Sequence, residues 1–108
     1  MAKEYIQING EGTDGVIAIS TSVLRSIASY ALEEEEGICL NHTRGLNKAV
    51  SCTINKNVLS IELEAKVDYG YNVSTVCEAA QNRIRQTVYQ MTGITPADVD
   101  INVVGFNF

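Results

Sequence analysis

Between residues 59 and 69 the chain alternates without a break. Leu59, Ile61, Leu63, Ala65, Val67 and Tyr69 are apolar, while Ser60, Glu62, Glu64, Lys66 and Asp68 between them are polar. Successive side chains of a strand point to opposite faces, so this run makes one face dry and the other wet. A slip of one residue would move the whole apolar set into water, which fixes the register of any pairing it makes. Strands of a parallel sheet covered on both faces read as continuous apolar runs instead. This pattern therefore predicts a largely antiparallel sheet packed on one face.

Beyond Gly70 the period changes. Val73, Val76, Cys77, Ala80, Ile84, Val88 and Met91 follow in steps of three and four, predicting a helix over 73–92 that Gly93 ends. Asn72 is one candidate cap, and Thr75 with Glu78 has the capping-box spacing. Upstream, VIAI at 16–19 reads as a short buried strand. Ser20 and Thr21 then offer a cap to a helix with Val23, Leu24, Ile27, Ala28 and Ala31 on one stripe, for which Gly37 is the expected stop. Residues 38–43 read as a strand and 42–48 (HTRGLNK) as a polar turn or loop. Val50, Cys52 and Ile54 alternate with Ser51 and Thr53, and Asn55-Lys56-Asn57 is a tight-turn signal. At the end of the chain Val99, Ile101 and Val103 alternate with Asp100 and Asn102. The apolar parity then shifts to Val104, Phe106 and Phe108 across Gly105, the mark of a bulge or a change of packing surface.

The order is strand, helix, two or three strands, helix, strand. It predicts a two-layer α+β domain, a mostly antiparallel sheet of four to five strands with two helices on one face. A split βαβ plait is the nearest simple topology. Residues 1–14 are expected to be a flexible lead-in and residues 15–108 a single domain, since a chain of 108 residues supports one modest core.

Net charge is −5, with eight scattered basic residues, which disfavours both nucleic acid and direct contact with an anionic membrane surface. The opening MAKEYIQINGEG lacks the apolar stretch of a signal peptide, and no apolar run approaches a membrane span. Cys39, Cys52 and Cys77 form no CxxC pair and are odd in number, so free thiols in a reducing cytoplasm are expected.

Candidate chemistry is sparse. Cys77 lies early in a predicted helix, where the N-terminus lowers a thiol pKa. It shares the stripe of Val73, Ala80 and Ile84, however, and the single histidine, His42, sits in another element, so core packing is the stronger reading. Cys39, His42, Cys52 and Cys77 can be drawn as a metal set. Residues three apart on one strand face opposite ways, so Cys39 and His42 converge only if the strand ends before His42. No metal or other cofactor is expected. Residues 9–15 (NGEGTDG) lack a GK[ST] ending and precede a strand, unlike a phosphate loop. The wet face of the long strand, with Glu62, Glu64, Lys66 and Asp68, has no interleaved aromatics for stacking bases, and no acid/base pair stands out among its carboxylates. Glu33, Glu34, Glu35 and Glu36 oppose the macrodipole at a helix C-terminus and repel one another. They read first as a solvated helix end and second as a docking patch for a basic partner or a weak cation site. Together with the apolar Val104, Phe106 and Phe108 they form the candidate partner or oligomer surface. No catalytic residue is assigned, and the chain is not expected to be an enzyme.

Several of these pieces recur in a known order. They are Tyr69-Gly70, Asn72-Val73, Val76, Gln81, Ile84, Val88, Met91-Thr92-Gly93 and residues 99–105, preceded by GVIAISTSVLRSIASYALEEEEGI in the N-terminal half. In order and spacing they resemble the alkaline-shock family of Gram-positive cell-envelope stress response proteins. Thr21 and Ser74 stand where members commonly open each helix with Pro, and the long charged tails of larger members are missing, so the chain resembles a short member. The resemblance implies a non-enzymatic cytoplasmic protein that self-associates and works as an adaptor or scaffold through protein–protein contacts. It also implies tethering near the inner membrane face by a partner such as a small membrane anchor protein, and a link to fatty-acid supply. A small RNA-binding α+β module, or a regulator of a metabolic enzyme, is the alternative class.

Overall fold

The structure, a computed structural model, describes residues 5–8, 17–44 and 46–108. In chain order its elements are β1 (Tyr5–Ile8), β2 (Ile17–Ser20), α1 (Thr21–Glu33), β3 (Ile38–Leu40), a 3-10 turn (His42–Arg44), α2 (Leu46–Ala49), β4 (Val50–Asn55), β5 (Val58–Asp68), α3 (Val73–Thr92) and β6 (Asp98–Asn107).

The alternating run becomes β5, and it has partners on both edges. β6 lies parallel along one edge, in register from Ser60 opposite Asp98 to Asp68 opposite Asn107. The other edge is shared end to end by two antiparallel strands, β4 beside residues 58–63 and β3 beside residues 65–67. Between them the Asn41 N–H donates to the Glu64 carbonyl at 2.9 Å, and Val50 then opposes Leu63. Residues 42–49 are thus looped out of a single interrupted edge strand, which resumes without a slip in register.

Leu59, Ile61, Leu63, Ala65 and Val67 are buried on one face. Onto them pack Leu24, Ile27, Ala28, Ala31 and Leu32 of α1, and Val76, Ala80, Ile84 and Val88 of α3. Each Leu or Ile so buried contributes about 2 kcal/mol. The expected two-layer α+β arrangement is present, with both long helices on one face of the main sheet. The caps sort themselves out locally. Ser20 accepts from the Val23 N–H on α1, and Asn72, not Thr75, caps α3 by accepting from the Thr75 N–H at 3.1 Å. Gly93 ends α3 in the left-handed conformation that glycine adopts freely.

Some expectations need correction. β5 and β6 are direct neighbours, so the plait is not split. A parallel pair needs a long crossover, and α3 supplies it. Tyr5–Ile8, inside the expected lead-in, is a strand paired with β2, and it buries Ile6. Four residues are too short a run to declare themselves by alternation. Asn57 in the β4–β5 turn accepts from the Gln7 N–H at 3.1 Å and holds this hairpin to the main sheet. β2 is itself mostly open rather than buried. α1 stops at Glu33, before Gly37, whose φ of +88° instead serves the turn into β3. The strand expected over 38–43 ends at Leu40, where the Glu33 carboxylate takes the Leu40 N–H at 3.3 Å and also pairs with His42. Met91 and Tyr69, expected on apolar stripes, are exposed. Residues 9–15 lie outside the described residues.

Candidate functional site: an aromatic end on the sheet

The parity shift near the C-terminus has a geometric consequence. Ala65 opposes Val103 and Lys66 opposes Gly105, which leaves Val104 as the extra residue of a bulge. After the bulge Phe106 opposes Val67, so Phe106 shares the helix-covered face, and by alternation Phe108 does too. α3 begins only at Val73, and the sheet runs on past its end. The two phenylalanines therefore emerge beyond the cover. Phe106 is 48% and Phe108 99% exposed.

Backbone bonds hold this end in place. The Tyr69 N–H donates to the Asn107 carbonyl at 2.7 Å, the Asp68 N–H to the Gly37 carbonyl at 2.9 Å, and the Tyr71 N–H to the Asp68 carbonyl at 3.2 Å. The Asn107 amide adds a bond to the Asp68 carboxylate at 3.1 Å. On that frame the Tyr69 and Phe108 rings lie 5.5 Å apart and tilted, and Phe106 and Phe108 lie 6.5 Å apart. These are ordinary separations for attractive aromatic pairs. With Tyr71 and Val73 they line a shallow cavity of about 550 Å³.

The structure therefore joins Phe106 and Phe108 to two residues that sequence reasoning did not assign to a site, Tyr69 and Tyr71. Tyr69 continues the apolar alternation of β5, which placed it in the core. The signal that it leaves the core is its position beside Gly70, where strand and cover both end. Val104, half exposed at the bulge, does not line the cavity.

Glu33, Glu34, Glu35 and Glu36 do not converge. Glu33 serves Leu40 and His42. Glu34 accepts from the Tyr30 hydroxyl and raises its pKa. Glu35 pairs with Arg83 of α3 at 2.6 Å. Glu36 accepts from the Tyr71 hydroxyl at 3.0 Å and likewise raises that phenol's pKa. The run ties the end of α1 to β3, the 3-10 turn, α3 and the segment that leads into α3, and of the four it is Glu36 that reaches the aromatic end.

Two of the thiols are held toward their protonated form. Burial pushes Cys52 up to about 11, against a smaller lowering effect of Arg25, and burial alone raises Cys77, which packs against the core. Cys39 lies on the opposite sheet face, 3.2 Å from the Asn107 amide. Among the described residues no three His, Cys, Asp or Glu side chains come close enough to share a metal ion. Both Cys52 and Cys77 should react with a disulfide reagent slowly in the folded protein and rapidly in denaturant. Rapid labelling of Cys77 in a folded variant lacking the other two cysteines would restore it as a nucleophile.

Comparison with known proteins bears on all of this. The family model for the alkaline-shock family, described as having cell envelope-related function, matches residues 9–108. The chain is also 24% identical over 110 residues to the uncharacterized protein YqhY of Bacillus subtilis (strain 168), an overlap covering 87% of this chain and 78% of that protein.

Proposed function

The chain belongs to the alkaline-shock family of cell envelope-related function, and from that premise we propose that it is a non-enzymatic adaptor that joins copies of itself at the membrane's cytoplasmic face. The observation that carries this reading is the aromatic end. Tyr69, Phe106 and Phe108 form an exposed apolar cluster on a hydrogen-bonded frame, and contiguous apolar surface of this kind marks interaction sites. Aromatic anchors also dominate interface energetics. The occupant we assign is the same end of a second copy, because a two-fold contact lets one patch cover itself.

Raised thiol pKa values and carboxylates engaged in structural links support a binding role over a chemical one. No helix among the described residues is long and apolar enough to cross a membrane. Our reading assigns attachment to the envelope to a membrane-protein partner, and coordination of envelope lipid supply is the finer version of the same role. Joined copies present such a partner with repeated sites, which raises avidity without new contacts. Immobilised wild-type protein should retain a membrane protein from native membranes more strongly than the double variant Phe106→Ser/Phe108→Ser does. Equal retention by the two would contradict the reading.

A further inference from the structure

β6 is paired on one edge only, and among the described residues no strand lies against the other. Hydrogen bonds show which of its peptide groups look outward. The Asn107 carbonyl receives the Tyr69 N–H and so faces β5. The Val99 carbonyl receives the Gln81 side-chain amide at 2.9 Å and so faces away. Peptide groups alternate along a strand, so Ile101 and Val103 face away with Val99, and Phe106 does so next to Asn107. From Ile101 to Phe106 this edge has no charged residue and no proline, two of the devices that keep edge strands from pairing.

The bulge at Val104 decides what fits there. Ile101 and Phe106 both look outward and share the helix-covered face, although an odd number of positions separates them. A regular strand laid along this edge would have to set one residue against two, as β5 does between Ala65 and Lys66. A second β6, run antiparallel about a two-fold axis, carries the same extra residue. With Ile101 opposite Phe106 of the second copy, peptide groups and side-chain faces agree on both sides of the bulge. A register made only from residues before the bulge leaves both phenylalanines out and meets Gln81 at Val99.

The side chains suit this register. Ile101 is half-buried and Phe106 half exposed, and they become an apolar cross-strand pair. On the uncovered face Asp100 comes opposite Asn107 and Asp98 falls past the end of the facing strand, so the carboxylates of the two copies do not meet. Asn102 comes opposite Gly105. Lys66 lies over Gly105, its Cε 3.8 Å from where a Cβ would stand, so its stem runs across β6 toward the free edge. The residue waiting there, next along that face from Asn102, is Asp100 of the second copy.

We propose that two copies join through the free edges of β6, antiparallel about a two-fold axis at the bulge, so that their main sheets become one. Ile101 then stands opposite Phe106, and Lys66 of each copy is set against Asp100 of the other. This rests on the reading of the aromatic end as a contact between copies, and it specifies the strand pairing and register by which that contact is made.

The test combines amide hydrogen exchange with light scattering on the full chain at several concentrations. Assembly should slow exchange at the outward amides of Ile101 and Phe106 by about tenfold or more. Lys66→Glu and Asp100→Lys should each weaken association about fivefold at low salt, and an equimolar mixture of the two variants should recover it. Assembly with those two amides still exchanging as in the monomer, or a mixture no tighter than its parts, overturns this pairing and leaves the aromatic contact standing. A Phe106→Ser/Phe108→Ser variant that still assembles with the Ile101 amide protected does the reverse, contradicting the aromatic contact and supporting the pairing. A wild type that stays monomeric overturns both.

Discussion

Gly37→Ala should destabilise the fold by about 2–4 kcal/mol, the sum of a left-handed backbone cost and an overpacking cost. The residue has φ +88°, and an added Cβ would stand 2.5–2.8 Å from the ring of Tyr71. The ring has little freedom to move aside, because its hydroxyl is bonded to Glu36 and its backbone N–H to Asp68. Gly93→Ala is the internal control. Its φ is also positive, at +77°, but nothing lies within 4 Å of the added carbon, so about 1–2 kcal/mol is expected from the backbone alone. Urea unfolding separates the two through their midpoints at a common slope. Equal losses would mean that Tyr71 does not pack on Gly37, and the frame of the aromatic end would need redrawing.

Leu63→Ala should cost about 2–5 kcal/mol, the range for a leucine removed from a core that cannot collapse around the gap. Leu63 is fully buried, midway along β5, which pairs on both edges. Glu62→Ala, one residue away on the exposed face, should stay within about 0.5 kcal/mol, since what it gives up is a long, solvent-exposed hydrogen bond from the Asn102 amide at 3.4 Å. The contrast between neighbours is a direct reading of register. Similar costs at the two positions would contradict it.

What the sequence made legible is what alternation and helical spacing encode. β5, the buried stripe of α3 through Val76, Ala80, Ile84 and Val88, the turn at Lys56 and Asn57, and the bulge at Val104 all follow from local period and residue type. Less legible were features set by where one element stops covering another. Tyr69 obeys the strand pattern yet emerges because α3 starts four residues later. Glu33, Glu35 and Glu36 read as a solvated run, yet each finds a partner on a different element, a consequence of tertiary neighbours that spacing does not encode. The parallel pairing of β5 with β6 was hidden for a related reason. β5 shows the alternation of a one-faced sheet whichever direction its neighbour runs, because only one face is covered.

The account stands on the aromatic end being a contact surface between copies. Removing the last three residues would be an ambiguous test, since Asn107 also anchors Tyr69 and Asp68. The decisive measurement is light scattering on the full chain over a range of concentrations, alongside Phe106→Ser/Phe108→Ser. The account predicts a mass above the monomer for the wild type, falling to the monomer in the variant with its unfolding midpoint retained. A wild type that stays monomeric at every concentration, or a variant that assembles as well as the wild type, would contradict it.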